Sequence, residues 1–123
     1  MTSKSNAWFF IDGTAIENPS AFKISRYRIT KSNRIADGSM SMELVANKRK
    51  FFFTYDSINE EEMNNILDCI WNTDEVFYEL RYWYNNEWNT ATVYAGEIPS
   101  EMKKAWKNHK IIWKNFNFNL IEK

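Results

Sequence analysis

Hydrophobic and polar residues alternate along most of this chain, and one stretch breaks that rhythm. In residues 58–71, INEEEMNNILDCIW, Met63, Ile66, Leu67, Ile70 and Trp71 recur at spacings of three, one, three and one, which places them on one stripe of an α-helix. The start of the helix carries its own signal. Asn59 serves as N-cap with Glu62 at the third helical position, and Ile58 ahead of the cap is set to pack on Met63. Ser57 with Glu60 offers a second register for the same start. Glu60, Glu61 and Glu62 sit where the helix dipole favours negative charge, and Asn72 reads as a left-handed stop. The pattern predicts one helix over residues 59–71, about 18 Å long, lying across a sheet.

On both sides of that helix the pattern reads as strands. After a polar, loose start at residues 1–6, residues 7–11 form a short apolar strand, and Asp12-Gly13 signals a hairpin or bulge. Asn18-Pro19-Ser20 sets a connecting turn. Residues 22–31 alternate with a slip of phase, Phe22 and Ile24 on one face and Tyr27 and Ile29 on the other, as a β-bulge or a bend between two short strands produces. After a second turn at Asp37-Gly38, Met40, Met42, Leu44 and Ala46 alternate with Ser39, Ser41, Glu43 and Val45 as a half-buried strand. A charged corner, Lys48-Arg49-Lys50, leads into residues 51–56, apolar on both faces as far as the helix.

Beyond the helix, residues 75–84 place Val76, Tyr78, Leu80, Tyr82 and Tyr84 on one face of a long strand. Asn85-Asn86-Glu87 joins it to an antiparallel partner at residues 88–95. Residues 96–109 read as a polar, lysine-rich loop with one helical turn at 100–106. A last strand at 110–121 sets Ile112, Phe116, Phe118 and Leu120 opposite Asn115, Asn117 and Asn119. The chain therefore reads as α+β, mostly β: antiparallel sheets with one flanking helix, in a single domain over residues 1–123.

Composition narrows the class further. With 44% hydrophobic and 26% charged residues the chain is neither disordered nor membrane-embedded. The apolar run at residues 7–11 is far too short for a signal-peptide core or a membrane span, so a cytoplasmic origin is expected. Net charge is zero, which gives no global field to attract nucleic acid or an acidic membrane. Cys69 is the only cysteine, so no internal disulfide forms, and its place between Leu67 and Ile70 reads as a small, partly buried side chain.

Little in the sequence points to catalysis. One His and one Cys, forty residues apart, do not make a zinc or iron site. His109 stands in the lysine-rich segment with no nucleophile turn elsewhere, and the three glycines stand too far apart for a phosphate loop. Glu60–Glu62 already have a capping role, so paired carboxylates for glycoside chemistry have no evident members. We therefore expect no enzyme, no metal and no cofactor. The best case for nucleic acid is Lys48-Arg49-Lys50 beside Phe51, Phe52 and Phe53, with Lys103, Lys104, Lys107 and Lys110 later. Basic residues beside strand aromatics are how OB-like folds hold single strands.

The informative anomaly is the set of strands that are apolar on both faces, at residues 51–55, 76–84 and 111–113. A sheet core on one side and the helix on the other absorbs part of this. Six Trp and six Tyr exceed what one helix covers, and such residues are enriched in interface cores. Trp83, Trp88 and Trp113 are thus candidates for a contact surface. The turn at Asn85, Asn86 and Glu87 and the loop at 96–109 are candidates to extend from the domain into the same contact.

The order of segments resembles a known family. An opening FIDGTAIENPSAFKIS at residues 10–25 is followed by RIADGSMSMEL at 34–44. Then come KRKFFFTYDSINEEEMNNIL at 48–67, a long hairpin, and FNFNLIEK at 116–123. This succession resembles small tail-structure proteins of phages and prophages of Gram-positive bacteria. In that family an "ING…P" opening, a KRK-aromatic strand running into an acidic helix start, and a "SFNLIEK"-like end recur in this order. Where the family shows Leu-Ser before the acidic pair, this chain has Ile58-Asn59, which keeps the staple and the cap. The resemblance implies two packed antiparallel sheets or a flattened barrel flanked by one helix. It also implies a subunit of rings, commonly hexameric, in tail tubes, baseplates or adaptors. The implied partners are copies of itself and other tail proteins, with DNA only as cargo passing through a tube and no small molecule or membrane. The implied location is the virion tail, reached from the host cytoplasm. No catalytic residue is carried across.

Overall fold

A computed structural model describes residues 7–34, 36, 38–105 and 111–123, without the side chains of 103–105. In chain order its elements are β1 (Phe9–Ile11), β2 (Thr14–Ala15), β3 (Ala21–Arg34), β4 (Met40–Asn59), α1 (Glu60–Ile70), β5 (Tyr78–Tyr84), β6 (Glu87–Ala95), β7 (Glu101–Ala105) and β8 (Ile111–Glu122). Residues 1–6, Asp37 of the second turn, and Trp106, Lys107, His109 and Lys110 lie outside the described residues, as do the side chains of Lys103 and Lys104.

Turn chemistry sets the two tight hairpins. Asp12 and Gly13 take φ of 50° and 83°, and Asn85 and Asn86 take 58° and 61°. Two successive residues with positive φ make the turn whose twist matches antiparallel strands, so two-residue loops join β1 to β2 and β5 to β6. All pairings are antiparallel and run in one path, β2-β1-β5-β6-β8-β4-β3, with β7 added to β8. The path folds over at the junction of β6 and β8, where only Val93–Ala95 pair with Leu120–Glu122. Gly96 follows directly, donating its N–H to Asn119 O at 3.0 Å, and a Cβ there would collide with the Asn119 side chain.

The fold-over creates two leaves, β2-β1-β5-β6 and β8-β4-β3, facing each other. Phe9 of β1 meets Phe22 of β3 at 4.7 Å and Phe53 of β4 at 5.1 Å between ring centroids, although β1 and β3 lie near opposite ends of the path. The arrangement is mostly β with one flanking helix, two antiparallel layers continuous as an open, flattened barrel. Phe51, Phe53 and Tyr55 from β4, Leu80 and Tyr82 from β5, and Phe116, Phe118 and Leu120 from β8 fill the space between the leaves. Their alternation along each strand is what the sequence pattern requires.

The helix continues that core. Met63, Ile66 and Ile70 join the same cluster as Ile58, and the Asn59 side chain accepts the Glu62 N–H at 2.8 Å. Three bonds dock the helix on the strands: Tyr78 OH to Ile70 O at 2.9 Å, Asn65 Nδ2 to Ala15 O at 3.1 Å, and Trp113 Nε1 to Glu60 Oε2 at 3.3 Å. The predicted stripe is one residue too long. Trp71 is the C-cap, with φ −121°, so its backbone has left the helix and its side chain is 70% exposed. Leu67 is half-buried against the core. Asn72 is not left-handed; its N–H and that of Trp71 both reach Leu67 O, and this ends the helix.

Several strand expectations change. The β3–β4 ladder is unbroken from Ala21 to Ile29, so no bulge separates Ile24 from Tyr27. Tyr27 faces outward instead, under the Lys50 ammonium at 5.4 Å. The irregularity comes at Ile29/Thr30, where Val45 of β4 is the extra residue. Within the expected helical turn, Glu101–Ala105 form strand β7 instead, because backbone pairing to β8 satisfies that segment, and Trp106 lies outside the described residues. In β8, Asn115 has φ 53°, and on its two sides inward residues change phase: Phe116 is buried, but so in part is Trp113, paired with the buried Ile58. Ile112 therefore does not share a regular face with Phe116.

Candidate functional site

The largest departure from the sequence reading is at Met40, Met42 and Leu44. Their alternation suggested a half-buried strand, yet they are 58%, 64% and 53% exposed. The reason is topological. β8 pairs with β4 only from Lys50 onward, so among the described residues the distal part of the β3–β4 hairpin has no third strand and no opposite leaf. From Ile29 to Arg34 and back from Met40 to Ala46 it is a bare two-stranded ribbon projecting about 20 Å. Pairing of Thr30 with Leu44, Ser32 with Met42 and Arg34 with Met40 puts the three apolar side chains on one face of this arm. This is the hairpin that outruns the body. The one turned at Asn85-Asn86 ends one residue pair beyond Trp83, which bonds to Trp8 O, and Asn89 Nδ2 ties its turn to Tyr84 O and Glu87 O.

Trp83 and Trp88 form a second surface. They are paired across β5 and β6 on the outer face, 37% and 39% exposed, with ring centroids 5.3 Å apart at 74°. Phe10 meets Trp88 edge to face at 5.5 Å, and the Arg81 guanidinium lies over Trp88 at 4.6 Å. Trp8, bonded to Trp83 through its backbone and 53% exposed, extends this face across β1. The sequence reading missed Trp8, although alternation with the buried Phe9 carried the signal. Rings set edge to face, with a cation over one of them, do not offer a flat stacking platform. They are the composition of a protein contact. Trp113 stands apart from them, half-buried between helix and core.

The basic corner is largely occupied by the protein itself. Glu122 accepts from Arg49 N, Nε and Nη2 at 2.9, 3.2 and 2.9 Å, while Arg49 Nη1 donates to Tyr82 OH at 2.7 Å. One residue thus ties β4 to β8 and to the opposite leaf. Lys48 bonds to Lys123 O. Phe51 and Phe53 are fully buried, and Phe52 is covered by Lys23 at 4.6 Å. Among the described residues no group of three His, Cys, Asp or Glu side chains is placed to hold a metal ion, and no helix is long and apolar enough to cross a membrane. Cys69 is half-buried, and burial pushes its thiol up, away from the thiolate a nucleophile needs.

No protein-family model matches the chain, and no curated protein matches it. The surfaces just described therefore speak through their own chemistry.

The Arg49–Glu122 clamp makes a pH prediction. Its hydrogen bonds hold the Glu122 carboxyl below its ordinary value, and Arg49 is raised by the same contact. A lowered carboxylate contributes stability that is fully present above its unfolded value, about 4.3, and lost as pH falls through the lowered folded value. Glu122→Gln should therefore melt below the unsubstituted chain at neutral pH. The gap should close in acid below about pH 4, read by circular dichroism melts across that range.

Proposed function

We propose that this chain is a structural subunit of a phage tail or related injection device, assembling into a ring of a tube, baseplate or adaptor. The observation that carries the reading is the arm. A two-stranded ribbon is marginally stable in water by itself, and exposed Met40, Met42 and Leu44 gain burial only from a neighbour. The arm and the Trp83–Trp88 face lie on different leaves, so one copy presents dissimilar surfaces to its neighbours, as a closing head-to-tail ring requires. The order of segments, from the FIDGTAIENPSAFKIS opening to the FNFNLIEK end, supplies the class of assembly.

In this reading no residue is catalytic. The partners are further copies, six in a common ring, and adjoining tail proteins, and the finished site is the virion tail. Immunogold electron microscopy of particles from the source lysate is expected to label tails. Unlabelled tails, with the chain monomeric up to the millimolar range, would overturn the reading. Clearing of bacterial cell wall in a zymogram would transfer the protein to a hydrolase class. Salt-sensitive retention of a single-stranded oligonucleotide would transfer it to the OB-like modules, whose bases would need rings other than the buried Phe51 and Phe53.

A further inference from the structure

The zero net charge hides a strong segregation. Residues 21–50 carry eight Lys or Arg against two acids, and residues 51–80 carry eight Asp or Glu with no Lys or Arg at all. The fold turns this sequence asymmetry into two surfaces. The basic segment is the β3–β4 hairpin, with Arg26, Arg28, Lys31 and Arg34 all exposed along β3. The acidic segment contains the helix, whose outer stripe reads Glu61, Asn64, Asp68 and then Trp71 at the cap, all exposed.

Each surface pairs its charge with an apolar element. The arm sets Met40, Met42 and Leu44 beside its cations, and the helix sets a 70% exposed Trp71 beside its acids. The lengths correspond: the apolar stripe from Met40 to Leu44 covers about 13 Å of strand, and the helix from Glu61 to Trp71 about 15 Å. The two surfaces cannot meet within one chain. β4 carries the arm at its beginning and leads into the helix at its end, so Leu44 and Glu61 are separated by on the order of 50 Å of extended strand.

We infer that the basic, apolar arm of one copy docks on the acidic outer face of α1 in a second copy. The inference rests on the assembly reading above and names the two faces of one of its contacts. A complementary surface on the same molecule is always present at equal concentration, and a chain of zero net charge is not repelled by its own kind. A nucleic acid is the other polyanion a basic ribbon suits. The distal arm argues for protein, because beyond Arg28 its inner face sets Met40, Met42 and Leu44 around the single cation Arg34, where a run of phosphates would ask for several.

The test uses two full-length variants, Arg28→Glu/Arg34→Glu on the apolar face of the arm and Glu61→Lys/Asp68→Lys on the helix. These positions are exposed, so each variant is expected to fold, as circular dichroism is to check before association is read. In sedimentation velocity the unsubstituted chain is expected to self-associate, more weakly as salt is raised. Each variant alone should associate at least about tenfold more weakly. An equimolar mixture should recover association, because the reversed arm of one variant now faces the reversed helix of the other. Association unaffected by either variant, or not restored on mixing, overturns the inference. So does a monomer at every concentration. A DNA duplex bound by the unsubstituted chain and lost with Arg28→Glu/Arg34→Glu, without self-association, overturns it in favour of nucleic acid. Tails labelled normally by antibody but built from either variant would reject this contact while leaving the tail reading intact.

Discussion

Phe53→Ala should cost about 3–5 kcal/mol of folding stability, the range for truncating a buried phenylalanine. Phe53 is fully buried, and three rings converge on it or stack with it. Phe118 lies parallel at 4.7 Å, Phe22 at 5.0 Å, Phe9 edge-on at 5.1 Å, and Phe51 two residues along the strand meets Phe22 in turn. These rings come from β1, β3, β4 and β8, so the cavity would open where both leaves meet. A domain of this size is held by roughly 5–15 kcal/mol in all. The variant should therefore melt on the order of 10 °C or more below the unsubstituted chain. A conservative Phe53→Leu should recover most of that loss, since it restores volume without the ring contacts. A melt unchanged by Phe53→Ala would mean that the two leaves do not close on one another.

Ile66→Ala should cost about 2–5 kcal/mol, and Leu67→Ala clearly less. Both residues belong to the stripe that announced the helix, but Ile66 is fully buried and Leu67 only half so. The comparison measures how the helix is rotated on the sheet. Met63, Ile66 and Ile70 point at the core, and Leu67 lies at the margin. A larger loss at Leu67 than at Ile66 in parallel denaturant titrations would require the helix to be turned by about one residue, some 100°.

The helix was legible because its signals are local. The Asn59 cap, the acidic first turn and the stripe all act within a few residues, and each stands where the sequence placed it, except that the stripe ends at Ile70 and leaves Trp71 outside. The inward faces of β5 and β8 were legible for the same reason, through Tyr78, Leu80 and Tyr82 and through Phe116, Phe118 and Leu120, whereas Val76, set on the same face, falls before β5, and Tyr84 at its end is exposed. What failed depended on partners distant in sequence. Alternation at Met40–Leu44 reports that one face of a strand is apolar, not whether anything lies beneath it. That is decided by where β8 stops pairing. The change of phase between Trp113 and Phe116 comes from a single left-handed residue, Asn115, which alternation cannot reveal. Residues 101–105 are polar enough for a loop and become a strand because β8 offers them an edge. For the contact surface, Trp83 and Trp88 share one face, Trp113 does not, and Trp8 had to be added from its backbone bond to Trp83.

β8 follows every other described strand in the chain, and it joins the two leaves. It pairs with β4, β6 and β7 and contributes Phe116, Phe118 and Leu120 to the core. Translation at about 5–20 residues per second separates the end of β4 from the end of β8 by on the order of 3–13 s. Throughout that interval the nascent chain holds two half-sheets with open edges and uncovered aromatics, the state in which intermolecular strand pairing competes best. The pairing that joins the two leaves waits for β8, so the fold closes only once that strand has emerged. Yield in the cell should then depend on chaperone occupancy and growth temperature more steeply than the melting point of the finished protein would suggest.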